Sequence, residues 1–288
     1  MDELMKLKLS WKRPPNMPWP KTWHRFEATS KNGIVYKIKI QDIPPNRFED
    51  VVNFMAAEYS KREPITSHPK FYKLSQNETI QEALKIVRRK VLEQKLSLFA
   101  VLDNDDPKPE IMGVQLHYVR LDGDPPLKIP SEEYMKLFEI DKKLRENIDS
   151  KKIFGSERYI RDYGLVVAPE YYGLGISYQF YHALAKLAQT FLLPGAMMCF
   201  TSVYAQRSAE KAGFQTLNEI KYQDFKDADG NVVFPIDDST SLKSLGLVQD
   251  LDDDVINLKT LGAGSPDREQ KEEQNQEKDQ YDDVIEPT

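Results

Sequence analysis

Apolar positions recur along this chain with two periods. From Ile34 to Ile40 they alternate, with Ile34, Tyr36, Ile38 and Ile40 on one face and Val35, Lys37 and Lys39 on the other, which predicts a half-buried strand. After the Pro44-Pro45 break the spacing widens to three and four. Phe48, Val51, Val52, Met55 and Tyr59 then describe an amphipathic helix. It ends near Arg62-Glu63-Pro64-Ile65, because Pro64 keeps the residue before it out of helical geometry. A second helix is predicted over 79–94, with Ile80, Ala83, Leu84, Val87 and Val91 inward and the basic run Arg88, Arg89, Lys90 on a solvated face. Residues 98–102 and 111–121 predict a hairpin joined through Asn104-Asp105-Asp106-Pro107. Ser131 should cap a helix over 131–147 that turns Tyr134, Leu137, Phe138 and Leu144 inward.

The stretch from Tyr163 to Phe191 organises the rest. Leu165, Val166 and Val167 form a short β-branched run that Pro169 ends, since proline offers no backbone donor. Ile176, Phe180, Ala183, Leu184, Leu187, Ala188 and Phe191 then lay one apolar stripe along a helix. Gly173 and Gly175 sit between strand and helix, where the first helical N–H groups lack partners and attract phosphate. The same Gly-x-Gly also serves as a plain tight turn with no ligand. A dinucleotide fingerprint would need a small residue where Tyr178 stands, and a Walker loop would need Gly-Lys followed by Ser or Thr. Another strand is expected over 196–202. Beyond it, residues 221–226 and 232–234 flank Asp227-Ala228-Asp229-Gly230 as a hairpin that closes the sheet.

Composition and charge narrow the function classes. Cys199 is the only cysteine among 288 residues, so no intramolecular disulfide forms, and no apolar run reaches the length of a membrane span. A cytoplasmic protein without a membrane partner is expected. Residues 250–288 hold 13 acidic and 4 basic side chains, a net of −9 against −6 for the whole chain. The remaining +3 suits a small polyanionic ligand and is too dilute for nucleic acid. His24, His68, His117 and His182 show no zinc spacing with each other or with Cys199, so no metal is implied. His117 either faces a cleft as a proton relay or is packed within its strand, and Cys199 reads as core. Three regions follow: an irregular arm over 1–30 rich in Trp and Pro, one domain over 31–248, and an acidic tail over 249–288 that lacks the apolar surface to fold. Trp11, Trp19 and Trp23 of the arm either form a lip over a substrate mouth or dock on the domain.

Glu170-Tyr171-Tyr172-Gly173-Leu174-Gly175, placed between strand and helix, resembles the Q/R-x-x-G-x-G/A signature of the GNAT superfamily of acetyl-CoA-dependent N-acetyltransferases. Both glycines match, with Glu170 in place of Gln or Arg and Tyr172 where many relatives carry a basic residue. Thr201 to Phe214 resembles the family's later helix ending in K-x-G-F. Within the superfamily the chain is most similar to insect arylalkylamine N-acetyltransferases, over roughly residues 34–236. The resemblance implies an α/β (α+β) fold with a central mixed, mostly antiparallel sheet flanked by helices and splayed at its central strands. It implies acetyl-CoA as co-substrate, held by Leu165, Val166, Val167, Tyr172, Gly173, Leu174, Gly175, Ile176 and Ser177, and a small primary amine as acceptor for a monomeric enzyme. Arg62-Glu63-Pro64-Ile65 matches the family motif whose glutamate is the general base, here Glu63. Thr201 takes the first of two serine positions and Ala205 the second; Ala209 stands where many members place an acidic tyrosine, leaving Tyr204 or Ser208 as substitutes. A non-catalytic binding protein on the same fold is the alternative.

Overall fold

The computed structural model describes residues 1–246. The acidic tail expected from residue 249, and the domain boundary at 248, lie outside the described residues. After a short helix α1 (Asp2–Met5), strands β1 (Thr22–Thr29) and β2 (Val35–Asp42) pair antiparallel across the turn at Gly33. β1 lies inside the stretch expected to be irregular. His24, Phe26 and Ala28 alternate there with the exposed Arg25, Glu27 and Thr29, a two-residue period that the prolines before it obscured. The arm's tryptophans dock rather than form a lip: Trp11 and Trp23 both pack edge-on against Phe191.

α2 (Phe48–Glu58) follows as expected, burying Val51, Val52 and Met55. Two short helices, α3 (Pro64–Ser67) and α4 (Pro69–Ser75), lead to α5 (Glu78–Leu92), where Asn77 caps the first turn. Arg88 departs from the expected solvated face: it is 2% exposed, because its place on α5 directs it inward toward Tyr59, Tyr134 and Tyr163. Arg89 does face solvent, paired with Glu49. The predicted hairpin forms as β3 (Leu98–Leu102) and β4 (Ile111–Val119). The long helix expected over 131–147 breaks into α6 (Glu132–Met135) and α7 (Glu139–Leu144), with Phe138 turned outward, and a further short helix α8 (Ser150–Phe154) follows. Then come β5 (Ile160–Val167), α9 (Ile176–Thr190), β6 (Gly195–Phe200), α10 (Val203–Lys211), β7 (Gln215–Lys221) and β8 (Ser239–Gly246).

The eight strands make one sheet in the order β1-β2-β3-β4-β5-β6-β8-β7, antiparallel throughout except β5 beside β6. The expected hairpin near Asp227 contributes only a single bridge between Lys226 and Val232. The sheet is completed instead by β8, which inserts between β6 and β7. α9 covers one face of the sheet together with the docked arm, and α2 and α5 cover the other.

Candidate active site

β5 and β6 are hydrogen-bonded neighbours only at Ile160 with Ala196 and Arg161 with Met197. Beyond these pairs the strands diverge. At the closed end of the fork the Asp162 carboxylate accepts the Cys199 N–H at 3.3 Å, where a backbone carbonyl would have stood had the strands stayed together. The opening holds a cleft of about 860 Å³, lined along β5 by Leu165, Val166 and Val167, along β6 by Met198 and Phe200, and just past β6 by Thr201.

The ladder to β4 decides which backbone donors face this cleft. Ala168 donates to Met112 at 2.9 Å, and Val166 lies opposite Val114 two residues earlier. Because donors alternate along a strand, the Val166 N–H also points to β4, while those of Leu165 and Val167 point into the fork. The register slips between Gln115 and His117, and Gly164 at this bulge has φ +112. A Cβ on Gly164 would lie 2.8 Å from the Tyr59 ring, so only glycine admits Tyr59 to the cleft wall.

The glycine turn closes one end. Gly173 and Gly175 have φ of +82 and +70, and Gly175 occupies the cap position of α9 without a side-chain partner for the helix's first N–H groups. Tyr172, Gly173, Gly175, Ile176 and Ser177 line the cleft. Leu174 does not: its side chain is buried in the core beneath the turn. The Tyr172 N–H is spent on Pro169, and its ring is 58% exposed at the mouth.

Glu63, Thr201 and Tyr204 line the same cleft at its other end. Glu63 caps α3, its two carboxylate oxygens accepting the N–H groups of Ile65 at 3.1 Å and Thr66 at 2.7 Å. That fixes the carboxylate while leaving each oxygen a second lone pair. Thr201 is placed by its carbonyl, which accepts the Tyr222 hydroxyl at 2.8 Å. Tyr204 stands on the first turn of α10, 80% exposed at the rim. Ala205 and Ser208 reach the cleft, whereas Ala209 is buried in the core.

Tyr59, one of the aromatic residues that could line an amine pocket, stands on the cleft wall, and sequence reasoning missed Gln115 and Asp162 beside it. Asp162 is half-buried in the cleft wall, and desolvation pushes its carboxyl up to about 6 against the pull of Arg145. Burial, then Glu63, then Asp162 hold the Tyr59 phenol protonated. His117 is packed in its strand rather than lining the cleft, and burial lowers its imidazole to about 3. The Cys199 thiol is pushed up by burial, which makes it a poor nucleophile. Among the described residues no three His, Cys, Asp or Glu side chains gather as a metal would require, and no helix is long and apolar enough to cross a membrane.

No protein-family model matches the chain. No curated protein matches it either. Solved structures do. The candidate arylalkylamine N-acetyltransferase 7 of the yellow fever mosquito Aedes aegypti is similar with a TM-score of 0.74 and 23% identity, over 82% of this chain and 99% of its own. Arylalkylamine N-acetyltransferase 2 of Aedes aegypti matches with a TM-score of 0.60 and 20% identity over 73% of this chain and 98% of its own. A Drosophila melanogaster polyamine N-acetyltransferase, which catalyses formation of N-acetylagmatine, matches with a TM-score of 0.56 and 18% identity over 73% and 100%. At these identities the likeness establishes the fold, which is that of the GNAT N-acetyltransferases.

Proposed function

We propose that this protein is an N-acetyltransferase that moves an acetyl group from acetyl-CoA to a primary amine, foremost an arylalkylamine, by direct attack in a ternary complex. The observation that carries this reading is the fork. One cleft joins a helix N-terminus turned by two glycines, two open backbone donors on β5, and a fixed carboxylate. The pyrophosphate of the donor rests on the N–H groups from Gly173 to Ser177, and its pantetheine arm runs along β5. The amine nitrogen bonds to the thioester carbon as the carbon–sulfur bond breaks, and the N–H of Leu165 or Val167 holds the transient oxyanion. Glu63 takes a proton from the nitrogen through water, and Tyr204 or Thr201 supplies one to the departing thiolate. The activities that name the similar mosquito and fly structures favour an aromatic amine or a polyamine as acceptor. A monomer working in the cytoplasm belongs to the same proposal.

Acetyl-CoA-dependent thiol release by the purified protein, across tyramine, dopamine, tryptamine, spermidine and agmatine, tests it. Release with any of them supports the reading. Glu63→Gln should lower kcat/KM about a hundredfold and flatten its rise with pH; an unchanged profile removes Glu63 from the proton path.

A second reading is a non-catalytic acetyl-CoA-binding protein. It is favoured by Ala205 at the cleft, Ala209 in the core and the exposure of Tyr204, which leave no enclosed acid beside the thiolate. Calorimetry separates the two, since micromolar CoA affinity without thiol release selects the binder.

A further inference from the structure

We propose that Asp162 is the residue that receives the ammonium group of the acceptor and takes its first proton. The inference rests on the N-acetyltransferase reading for the chemistry and on the fork itself for the docking. An amine enters as R–NH3⁺ and leaves as an amide, so its nitrogen sheds two protons: one to free the attacking lone pair, one as the C–N bond forms. The cleft wall holds three carboxylates, and their surroundings differ: Asp238 accepts the N–H groups of Ser239 at 2.7 Å and Val203 at 3.3 Å. Glu63 is fixed by two backbone donors at the mouth. Asp162, at the closed end, has one donor at 3.3 Å.

The charges around Asp162 do not cancel it. On α7 and just after it, Asp141 and Arg145 are paired with each other at 2.9 Å, and Arg145 is the cation that acts most strongly on Asp162. Tyr59 after α2, Tyr118 on β4, Tyr181 on α9 and Cys199 on β6 also face it, and all four are held in their neutral, protonated forms by burial. His117, opposite Asp162 in the ladder, stays uncharged at working pH. Asp141, Arg145 and Asp162 together therefore leave one negative charge at the end of a cleft, an arrangement stable only beside a cation or a proton.

An independent observation points to the same ligand. Gln115 is 1% exposed, lines the cleft, and has no donor for Oε1 among the described residues, while its amide nitrogen turns to the Met198 sulfur. A buried acceptor without a donor, on the wall that also carries an uncompensated carboxylate, calls for a ligand that is positive and rich in N–H. A primary ammonium supplies three. The proton passes from R–NH3⁺ to the Asp162 carboxylate, giving R–NH2 and a neutral acid. Glu63 then takes the second proton through water as the C–N bond forms. One of the two protons ends on the thiol and the other in solvent.

The test uses the full chain saturated with CoA and a pair of isosteric probes, tyramine and its alcohol counterpart tyrosol, titrated by calorimetry. Wild type should bind the amine more tightly than the alcohol; Asp162→Asn should lose about thirtyfold in tyramine affinity while tyrosol binding stays within twofold. Equal loss for both probes, or no preference for the amine in wild type, overturns the proposal. The second readout is kinetic. Phenethylamine and β,β-difluorophenethylamine, whose amine is neutral near pH 7.5, should part company in Asp162→Asn, the first losing kcat/KM about a hundredfold and the second less than fivefold. A merely structural aspartate would slow both alike. If wild type releases no thiol with any amine but still prefers tyramine to tyrosol through Asp162, the acetyltransfer reading fails and the ammonium site stands.

Discussion

Asp162 makes stability and function pull apart at a single residue. Its carboxyl titrates near 3.8 in an unfolded chain and near 6 in the fold, so the folded state favours the protonated form. Between those values the folded protein holds more protons than the unfolded one. Stability attributable to this group therefore falls as pH rises through the window and stays level above it. Asn can still accept the Cys199 N–H and carries no charge. Asp162→Asn is expected to be more stable than wild type by on the order of 2 kcal/mol at pH 8, with the gain gone by pH 4, in urea denaturation at both pH values. A gain in stability beside a loss of amine binding is the signature of a residue kept for its ligand. A loss of stability at pH 8 would show that Asp162 is there to hold the strands.

The glycine turn and the strand fork belong to the scale of elements, and they were legible in the sequence to different degrees. The turn was fully visible. Gly173 and Gly175 take the left-handed backbone that only glycine adopts freely, and a Cβ on either would meet nothing within 4 Å. Gly175→Ala is therefore expected to cost only about 1 kcal/mol of stability, the backbone penalty alone. Its cap geometry aims the first N–H groups of α9, so CoA affinity should fall at least about tenfold, measured by calorimetry beside a urea midpoint lowered only by that small cost. The fork was visible only as a resemblance, because no local pattern records where two parallel strands stop pairing. β8 was invisible for a physical reason. Between β6 and β7 it buries the polar residues Thr240, Ser241, Lys243 and Ser244, and the ammonium of Lys243 finds its partner on another element, Glu210 of α10. Asp162 escaped in the same way: a charged residue in a strand reads as solvent-facing until its neighbours across the sheet are known. The open backbone donors of the cleft needed the ladder too, which assigns the Val166 N–H to β4 and leaves those of Leu165 and Val167 open.

At the scale of the whole molecule, one buried ion pair ties the arm, the sheet and α9 into a single body. Arg13 of the arm meets Asp42 at the end of β2 at 2.9 Å, with both side chains almost wholly buried. Its guanidinium also lies 4.9 Å from the ring centre of Phe191 beyond α9, and Asp42 accepts the Trp23 indole N–H at 2.7 Å. Desolvation is the largest influence on both members, lowering Arg13 and raising Asp42 despite their mutual attraction. Each is tolerated only because the other is there. Arg13→Ala leaves Asp42 buried without its cation and is expected to cost about 3 kcal/mol at pH 8. Without arginine the Asp42 carboxyl rises further, so the folded variant takes up a proton that wild type does not. Its deficit should therefore shrink as pH falls toward 5, well above the acid range in which the deficit from a lost surface pair would fade. Adding Asp42→Asn to Arg13→Ala removes the stranded charge and should restore more than half of the loss, measured by urea midpoints of the two single variants and the double variant. If the double variant is as weak as the sum of the singles, the arm is held by the packing of Trp11 and Trp23 on Phe191 and the ion pair is incidental to it.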